Sequence, residues 1–197
     1  MLKALLEPKV IAVIGASRTP GKVGYEILRN LKENGFCGDI VPINLVADEV
    51  CGIKCYQDLK TYKKEIDLAV IAIPVLQVKK AVKDSIDAGA KAIAIITAGF
   101  KEIGGKGLAL EEEIARLCSS SGVRLLGPNC LGLINVHYKM NASFAKHMPL
   151  AGGISVISQS GALCTAILDW AASRRLGLSK LISMGNKADL SEADFIN

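Results

Sequence analysis

Three glycines punctuate a short stretch near the start of the chain, Gly15-Ala-Ser17-Arg18-Thr-Pro-Gly21-Lys22-Val-Gly24. It follows the apolar run Val10 to Ile14 and precedes Gly24, Ile27, Leu28 and Leu31 at helical spacing, so it reads as a strand-to-helix turn. A helix start at the carboxyl end of a parallel strand carries unpaired N–H groups and the positive end of the helix dipole, which together hold phosphate. Glycine lets a ligand come close to the backbone, and Arg18 and Lys22 add positive charge. The spacing is longer than the GxGxxG fingerprint of dinucleotide sites. An NAD site also keeps Asp or Glu at the end of the second strand, whereas Asn44 stands there and Asp48 and Glu49 come several residues late. A nucleotide bearing phosphates is favoured. A nicotinamide cofactor is not.

Ser158-Gln159-Ser160-Gly161 repeats the arrangement between the apolar run Ile154 to Ile157 and a second helical stripe. The N–H groups of Ser160, Gly161 and Ala162 are expected to be free at that helix start. Taken alone, the same residues also fit a serine N-cap with no ligand. Ser160 has no GxSxG context and no histidine nearby, so it does not read as a nucleophile. The six cysteines are Cys37, Cys51, Cys55, Cys118, Cys130 and Cys164. Their spacing, with only His137 and His147 elsewhere, matches no zinc pattern, and no metal is expected. They read as small packed hydrophobes, Cys130 included, rather than as a disulfide framework.

These groups need a scaffold, and the sequence supplies one. Apolar runs at Val10 to Ile14, Ile40 to Asn44, Leu68 to Ile73, Ala92 to Thr97 and Val123 to Leu126 read as buried strands. Between them lie helical stripes at 24–31, 78–86 and 110–118, the last two closed by Gly89 and Gly122. That alternation predicts right-handed βαβ crossovers and a doubly wound parallel sheet over residues 1–128. Residues 129–151 show no clean period and read as a connection carrying short irregular strands. A new cycle starts at Ile154 to Ile157, continues through Leu163, Ala166, Ile167, Trp170 and Ala171, and reaches a strand at Leu181 to Met184. One helix and two strands cannot cover both faces of a parallel sheet. The second α/β unit, 129–197, therefore reads as incomplete, with an apolar face needing cover from another domain, a partner subunit or a second copy.

Half of the 197 residues are apolar and 22% are charged, enough for a real core. No apolar run approaches the roughly 20 residues of a membrane span, and the first apolar stretch is too brief for a signal peptide. One Trp, four Tyr and four Phe with a net charge of +5 leave little material for stacking nucleic acid bases. A cytoplasmic protein is expected.

Several further motifs occur in one order: Val41-Pro-Ile-Asn44, Ile96-Thr97-Ala98-Gly99-Phe100, Gly127-Pro-Asn129-Cys130-Leu-Gly132, Gly152-Gly-Ile-Ser-Val-Ile-Ser158-Gln159-Ser160-Gly161 and Ser183-Met-Gly-Asn-Lys187. Together with the first loop they make the whole chain resemble the nucleoside-diphosphate-forming acyl-CoA synthetases, relatives of the succinyl-CoA synthetase alpha subunit. The resemblance implies a Rossmann-like CoA-binding unit followed by the beginning of a flavodoxin-like ligase unit. It implies that Gly15, Ser17, Arg18 and Gly21 meet the CoA phosphates, with Lys22 and Asn44 in the same set. Pro74, Val75, Thr97, Ala98 and Gly99 would line the pantetheine path. Ser158, Gln159, Ser160 and Gly161 would cradle a phosphate, and the Asn129 amide would bond an acyl-phosphate oxygen beside the thioester. Relatives often carry Asn-Pro-Lys where this chain has Asn44-Leu45-Val46. Either Lys54 or Arg18 replaces that cation, or CoA affinity is weak. Lys187 either faces phosphate or is a solvated charge.

The activity implied is that of an ADP-forming acid–CoA ligase, which turns acyl-CoA, phosphate and ADP into acid, CoA and ATP. Acyl phosphate and a phosphohistidine are its intermediates. The histidine lies downstream in the family, and neither His137 nor His147 matches it. ADP, ATP and magnesium would be handled by domains outside these residues, so no catalytic residue is expected here. The alternative is a non-catalytic CoA- or nucleotide-sensing module, as in the synthetase-like part of a protein lysine acetyltransferase.

Overall fold

The computed structural model describes residues 2–196. The chain runs α1 (Lys3–Leu6), β1 (Val10–Ile14), α2 (Val23–Glu33), β2 (Asp39–Ile43), β3 (Glu49–Val50), β4 (Ile53–Lys54), β5 (Leu68–Ile71), α3 (Val75–Asp87), β6 (Ala92–Ile95), α4 (Gly105–Ser120) and β7 (Arg124–Leu126). It continues with β8 (Gly132–Asn135), β9 (Met140–Ser143), β10 (Ala151–Ser158), α5 (Gly161–Ser173), β11 (Leu178–Ser183) and α6 (Glu192–Ile196).

The first sheet has the order β2-β1-β5-β6-β7 and all its pairings are parallel. Its strands are apolar on both sides because both sides are covered. Ile11, Val13, Leu68, Val70, Ala92 and Ala94 pack with Ile27, Leu28 and Leu31 of α2. Their alternates Ala12, Ile14, Ala69, Ile71, Ile93 and Ile95 pack with Val78 and Val82 of α3 and Ile114 and Cys118 of α4. From β1 the chain winds to one side of the sheet, and from β5 to the other. The reversal lies between β1 and β5, and an open α/β sheet forms its ligand crevice outside the carboxyl ends of the strands at such a switch point. The crossover from β2 to β5 holds no α-helix. The β3–β4 hairpin and a 3₁₀ turn at Lys60–Tyr62 fill it, with Leu59, Tyr62 and Ile66 buried under the sheet.

The second sheet corrects one expectation. The short strands expected in the connection are present at 132–135 and 140–143, but they are regularly paired members of this sheet rather than irregular ones, and its order is β10-β11-β8-β9. Only β10 and β11 are parallel; β8 runs antiparallel to both β11 and β9. Both faces of the inner strands β11 and β8 are covered, and the edge strand β9 is buried with them, unlike the open face expected above. Leu133, Met140, Ala142 and Ile182 join the cluster beneath α2, while Ile134, Leu178 and Leu181 pack with Cys164 and Leu168 of α5. The helix α2 thus serves both sheets, which period-counting within each unit does not anticipate. The apolar surface left open is narrower than a face: Leu150 and Ile154 at the edge strand β10, Leu163 and Trp170 on one side of α5, and Ile196 on α6, each more than half exposed.

Candidate functional site

The turn after β1 is drawn tight against its neighbours. Gly15 has φ +97° and its N–H, like that of Ala16, reaches the Ile43 carbonyl at 3.2 Å. A Cβ on Gly15 would strike the Ala72 carbonyl, and one on Gly24 would overlap the Gly15 carbonyl. Both positions therefore exclude larger residues for steric reasons, and α2 starts directly over the end of β1. Its first two N–H groups, of Val23 and Gly24, have no carbonyl within the helix to bond. Lys22 is the N-cap and offers no side-chain cap. Glu26 takes the Gly21 N–H at 2.8 Å and pairs with Arg29, so Gly21 shapes the loop without offering its amide. Ser17 Oγ accepts from the Thr19 N–H at 3.1 Å.

Asn44 is a brace. Its Nδ2 donates to the Ala16 carbonyl at 2.7 Å while its Oδ1 accepts from the N–H groups of Val46 and Ala47. This clamps the loop after β2 to the glycine turn and consumes the carboxamide. The side chains that the clamp leaves outside are apolar: Leu45 is 80% exposed and Val46 81%. Neither replacement cation is committed to a carboxylate among the described residues. Arg18 is exposed, and Lys54 lies over the Tyr56 ring at 5.8 Å.

Opposite this loop stands the start of α5. Ser160 caps it, its Oγ accepting from the Leu163 N–H at 3.2 Å. The Ser160 N–H is itself bonded to Ser158 Oγ at 3.1 Å. The free amides at this helix start are therefore those of Gly161 and Ala162, and the expectation that Ser160 N–H would be free is corrected. Ser158 and Ser160 shape the cradle with their hydroxyls.

The two helix starts open on one cleft of about 980 Å³. Of the residues singled out from sequence, Gly15, Ser17, Lys22, Pro74, Thr97, Ala98, Asn129, Gln159, Ser160 and Gly161 line it. Arg18, Gly21, Asn44, Val75, Gly99 and Ser158 do not; they stand behind or beside it. Val75 opens α3, and Gly99 packs close against it. The Thr97 hydroxyl donates to the Ile73 carbonyl at 2.7 Å and so joins the loops after β5 and β6. The lining also contains Ile73, Leu131, Phe144 and Thr165, which sequence reasoning passed over. Phe144 lies in the stretch without a period, where no pattern marks it.

Cys130 lines the cleft from within the core. Its Sγ donates to the Ile95 carbonyl at 3.3 Å, and burial pushes its thiol up to about 12. It stays protonated at neutral pH and is no acyl carrier. His137 bonds the Gly152 carbonyl at 3.0 Å, and neither histidine lines the cleft. Lys187 pairs with Glu192 at 3.1 Å, and Glu192 also accepts from Gln159 Nε2 at 3.5 Å. No group of metal-ligating side chains occurs among the described residues.

The segment after β11 is bound back onto the first sheet. Asn186 N–H donates to the Pro128 carbonyl at 2.8 Å and Ala188 N–H to the Gly127 carbonyl at 3.0 Å. Asp189 accepts from Arg124 Nε at 2.9 Å and from the Leu125 N–H at 2.8 Å. Asn186 and Asp189 thus help to dock the two units. Sequence reasoning stopped at the Met-Gly-Asn-Lys motif and missed their role.

A parallel sheet whose switch point opens on a cleft shared by two helix starts defines the class: a doubly wound α/β protein with two anion-compatible helix starts facing one cleft. Comparison with known proteins narrows it. The CoA binding domain family matches residues 9–136, and the succinyl-CoA ligase like flavodoxin domain matches 151–197. The chain belongs to the CoA binding domain family. It is 48% identical over 195 residues to an acetate–CoA ligase (ADP-forming) of Methanocaldococcus jannaschii, covering 99% of this chain and 27% of that protein. It is 42% identical to the alpha subunit of acetate–CoA ligase (ADP-forming) II of Pyrococcus furiosus, covering 100% of this chain and 42% of that subunit. Among solved structures, acetyl-coenzyme A synthetase 1 of Candidatus Korarchaeum cryptofilum, in complex with phosphate and ADP, superposes with a TM-score of 0.95. It is 42% identical, over 99% of this chain and 42% of that one. The chain therefore spans less than half the length of these relatives.

Proposed function

We propose that this chain is the CoA-binding part of an ADP-forming acid–CoA ligase, with residues 1–128 as the CoA unit and 129–197 as the beginning of the ligase unit. The observation that carries the reading is the single cleft with a helix start at each end and an apolar floor between. A CoA molecule has the matching polarity: phosphates at one end, a largely apolar pantetheine arm, and a thioester at the other. The free amides at the start of α2, with Lys22 and Arg18, would hold its phosphates. Pantetheine would run past Ile73, Pro74, Thr97 and Ala98. Inorganic phosphate would sit on the Gly161 and Ala162 amides, within reach of the thioester.

In this reaction a phosphate oxygen attacks the thioester carbonyl, the carbon–sulfur bond breaks, and CoA leaves as thiolate. The acyl phosphate formed then passes its phosphoryl group to a histidine and on to ADP; the histidine and the ADP site would be supplied by protein outside these residues. This chain's own part is to bind, align and shield. The exposed Ile154, Leu163 and Trp170 suit cover by the remaining ligase domains, a partner subunit or a second copy. No helix among the described residues is long and apolar enough to cross a membrane, and six free thiols fit a reducing cytoplasm.

Calorimetry with CoA and with NADH tests the reading. Binding of CoA, strengthened by phosphate, is expected; NADH binding without CoA binding would remove it.

A further inference from the structure

A polar cluster connects the docking segment to the cleft, and its hydrogen-bond directions are fixed by chemistry. Asn186 is buried. Its Nδ2 donates to Glu102 Oε2 at 2.6 Å and to Glu111 Oε2 at 2.7 Å. An ionised carboxylate accepts only, so the two glutamates determine which end of the Asn186 carboxamide faces them. Both sit among donors. Glu111 is buried but lies 3.5 Å from Lys101 Nζ, which also donates to the Asn186 carbonyl, and it accepts the Lys101 N–H at 3.1 Å. Burial pushes the Glu102 carboxyl up, but hydrogen bonds from Asn186 and from the Gly99 and Phe100 N–H groups outweigh it and hold it below the usual range.

With its nitrogen committed, Asn186 shows only its oxygen to Asn129, and Asn129 Nδ2 donates to it at 3.3 Å. Asn129 is fixed from behind as well. Its φ is +57°, and its N–H bonds the Thr97 carbonyl at 3.0 Å. Since Nδ2 is turned to Asn186, Oδ1 is left for the cleft that Asn129 lines. We propose that Asn186, oriented by Glu102 and Glu111, is a positioning residue that turns the Asn129 oxygen into the cleft to accept a hydrogen bond from a pantetheine amide N–H. This rests on the CoA reading of the cleft and adds to it: Asn129, with one of its two Nδ2 hydrogens spent on Asn186, recognises the arm of the cofactor through its carbonyl oxygen.

A double-mutant cycle separates this from a packing role. CoA and inorganic phosphate are titrated calorimetrically into the full chain and its Asn129→Ala, Asn186→Ala and doubly substituted variants, with each melting curve recorded. Each single change is expected to weaken CoA about two- to tenfold, the worth of one neutral hydrogen bond. The double variant should be no weaker than Asn129→Ala alone, and phosphate affinity should not move. The pair Glu102→Gln and Glu111→Gln, whose amides can donate and together let Asn186 reverse, should reproduce the loss and lose its effect in the Asn129→Ala background; it decides the matter if Asn186→Ala does not fold. Equal losses from Asn186→Ala with and without Asn129, or unchanged CoA binding by Asn129→Ala, overturn the proposal alone. Failure of the unsubstituted chain to bind CoA overturns the proposal together with the reading beneath it.

Discussion

Replacing Gly161 by proline isolates the phosphate cradle from the fold that carries it. Gly161 is the first residue of α5, a position where proline is at home because the N–H it lacks has no partner inside the helix. The preceding residue must be extended, and Ser160 is, at φ −88° and ψ 112°. There is room, since an added Cβ would meet only Leu131, at 3.7 Å. The Ser160 cap on Leu163 is untouched. A compatible glycine-to-proline change stabilises by about 0.4–1 kcal/mol through the unfolded chain, which in a protein of this size raises the melting temperature by about 1–4 °C. The only chemical loss is one donor aimed at phosphate. A hydrogen bond to a charged group is worth about 1.5–3 kcal/mol, so phosphate affinity should fall about 10- to 150-fold. Calorimetry with inorganic phosphate reads the affinity and differential scanning fluorimetry reads the fold. A folded Gly161→Pro protein with undiminished phosphate binding would refute the assignment of the cradle to this helix start.

Val46→Lys adds a cation where the family resemblance leads one to expect it, on a loop already fixed by Asn44. It should tighten CoA about two- to fivefold at low salt, less at high salt, and leave dephospho-CoA unchanged; equal effects on both ligands would place the 3′-phosphate elsewhere. Gly24→Ala forces α2 away from the Gly15 carbonyl, an overpacking cost of about 1–3 kcal/mol. The expected melting temperature is about 2–12 °C lower, with weakened CoA binding, and an unchanged melting curve would contradict the close approach. The Ser191 N–H, Arg124 and the Ser191 hydroxyl hold Asp194 down to about 2, against 3.8 for a free carboxyl. Its stabilising contribution is therefore complete above the unfolded value and disappears as pH falls from about 4 through 2. Asp194→Asn should flatten the decline in melting temperature over that interval, and an unaltered slope would count against the Arg124 pairing.

The first sheet was legible because its strands are apolar on both sides and its helices carry one clean stripe each. The glycine turn and the α5 start were legible because phosphate-holding turns need particular residues at particular places. What stayed hidden depends on distant partners. Strands β8 and β9 contain buried Asn135, Asn141 and Ser143, which no apolar pattern marks. Asn135 Nδ2 reaches the Leu6 carbonyl, and Asn30 Nδ2 of α2 bonds the carbonyls of Ser143 and Ala145. The β3–β4 hairpin turns on Cys51 and Gly52, both at positive φ, but cysteine in place of the usual asparagine conceals the turn. The resemblance gave the candidate residues; it did not give the direction in which Asn44 and Asn129 spend their amides. Those directions come from the atoms across from them.

A crystal structure of this chain grown with CoA and phosphate bears most directly on the whole reading. The cofactor's phosphates should lie against the Val23 and Gly24 amides, its arm past Thr97 and Asn129, and a phosphate on Gly161 and Ala162. CoA bound on another surface, with the space between the two helix starts left to solvent, would contradict it.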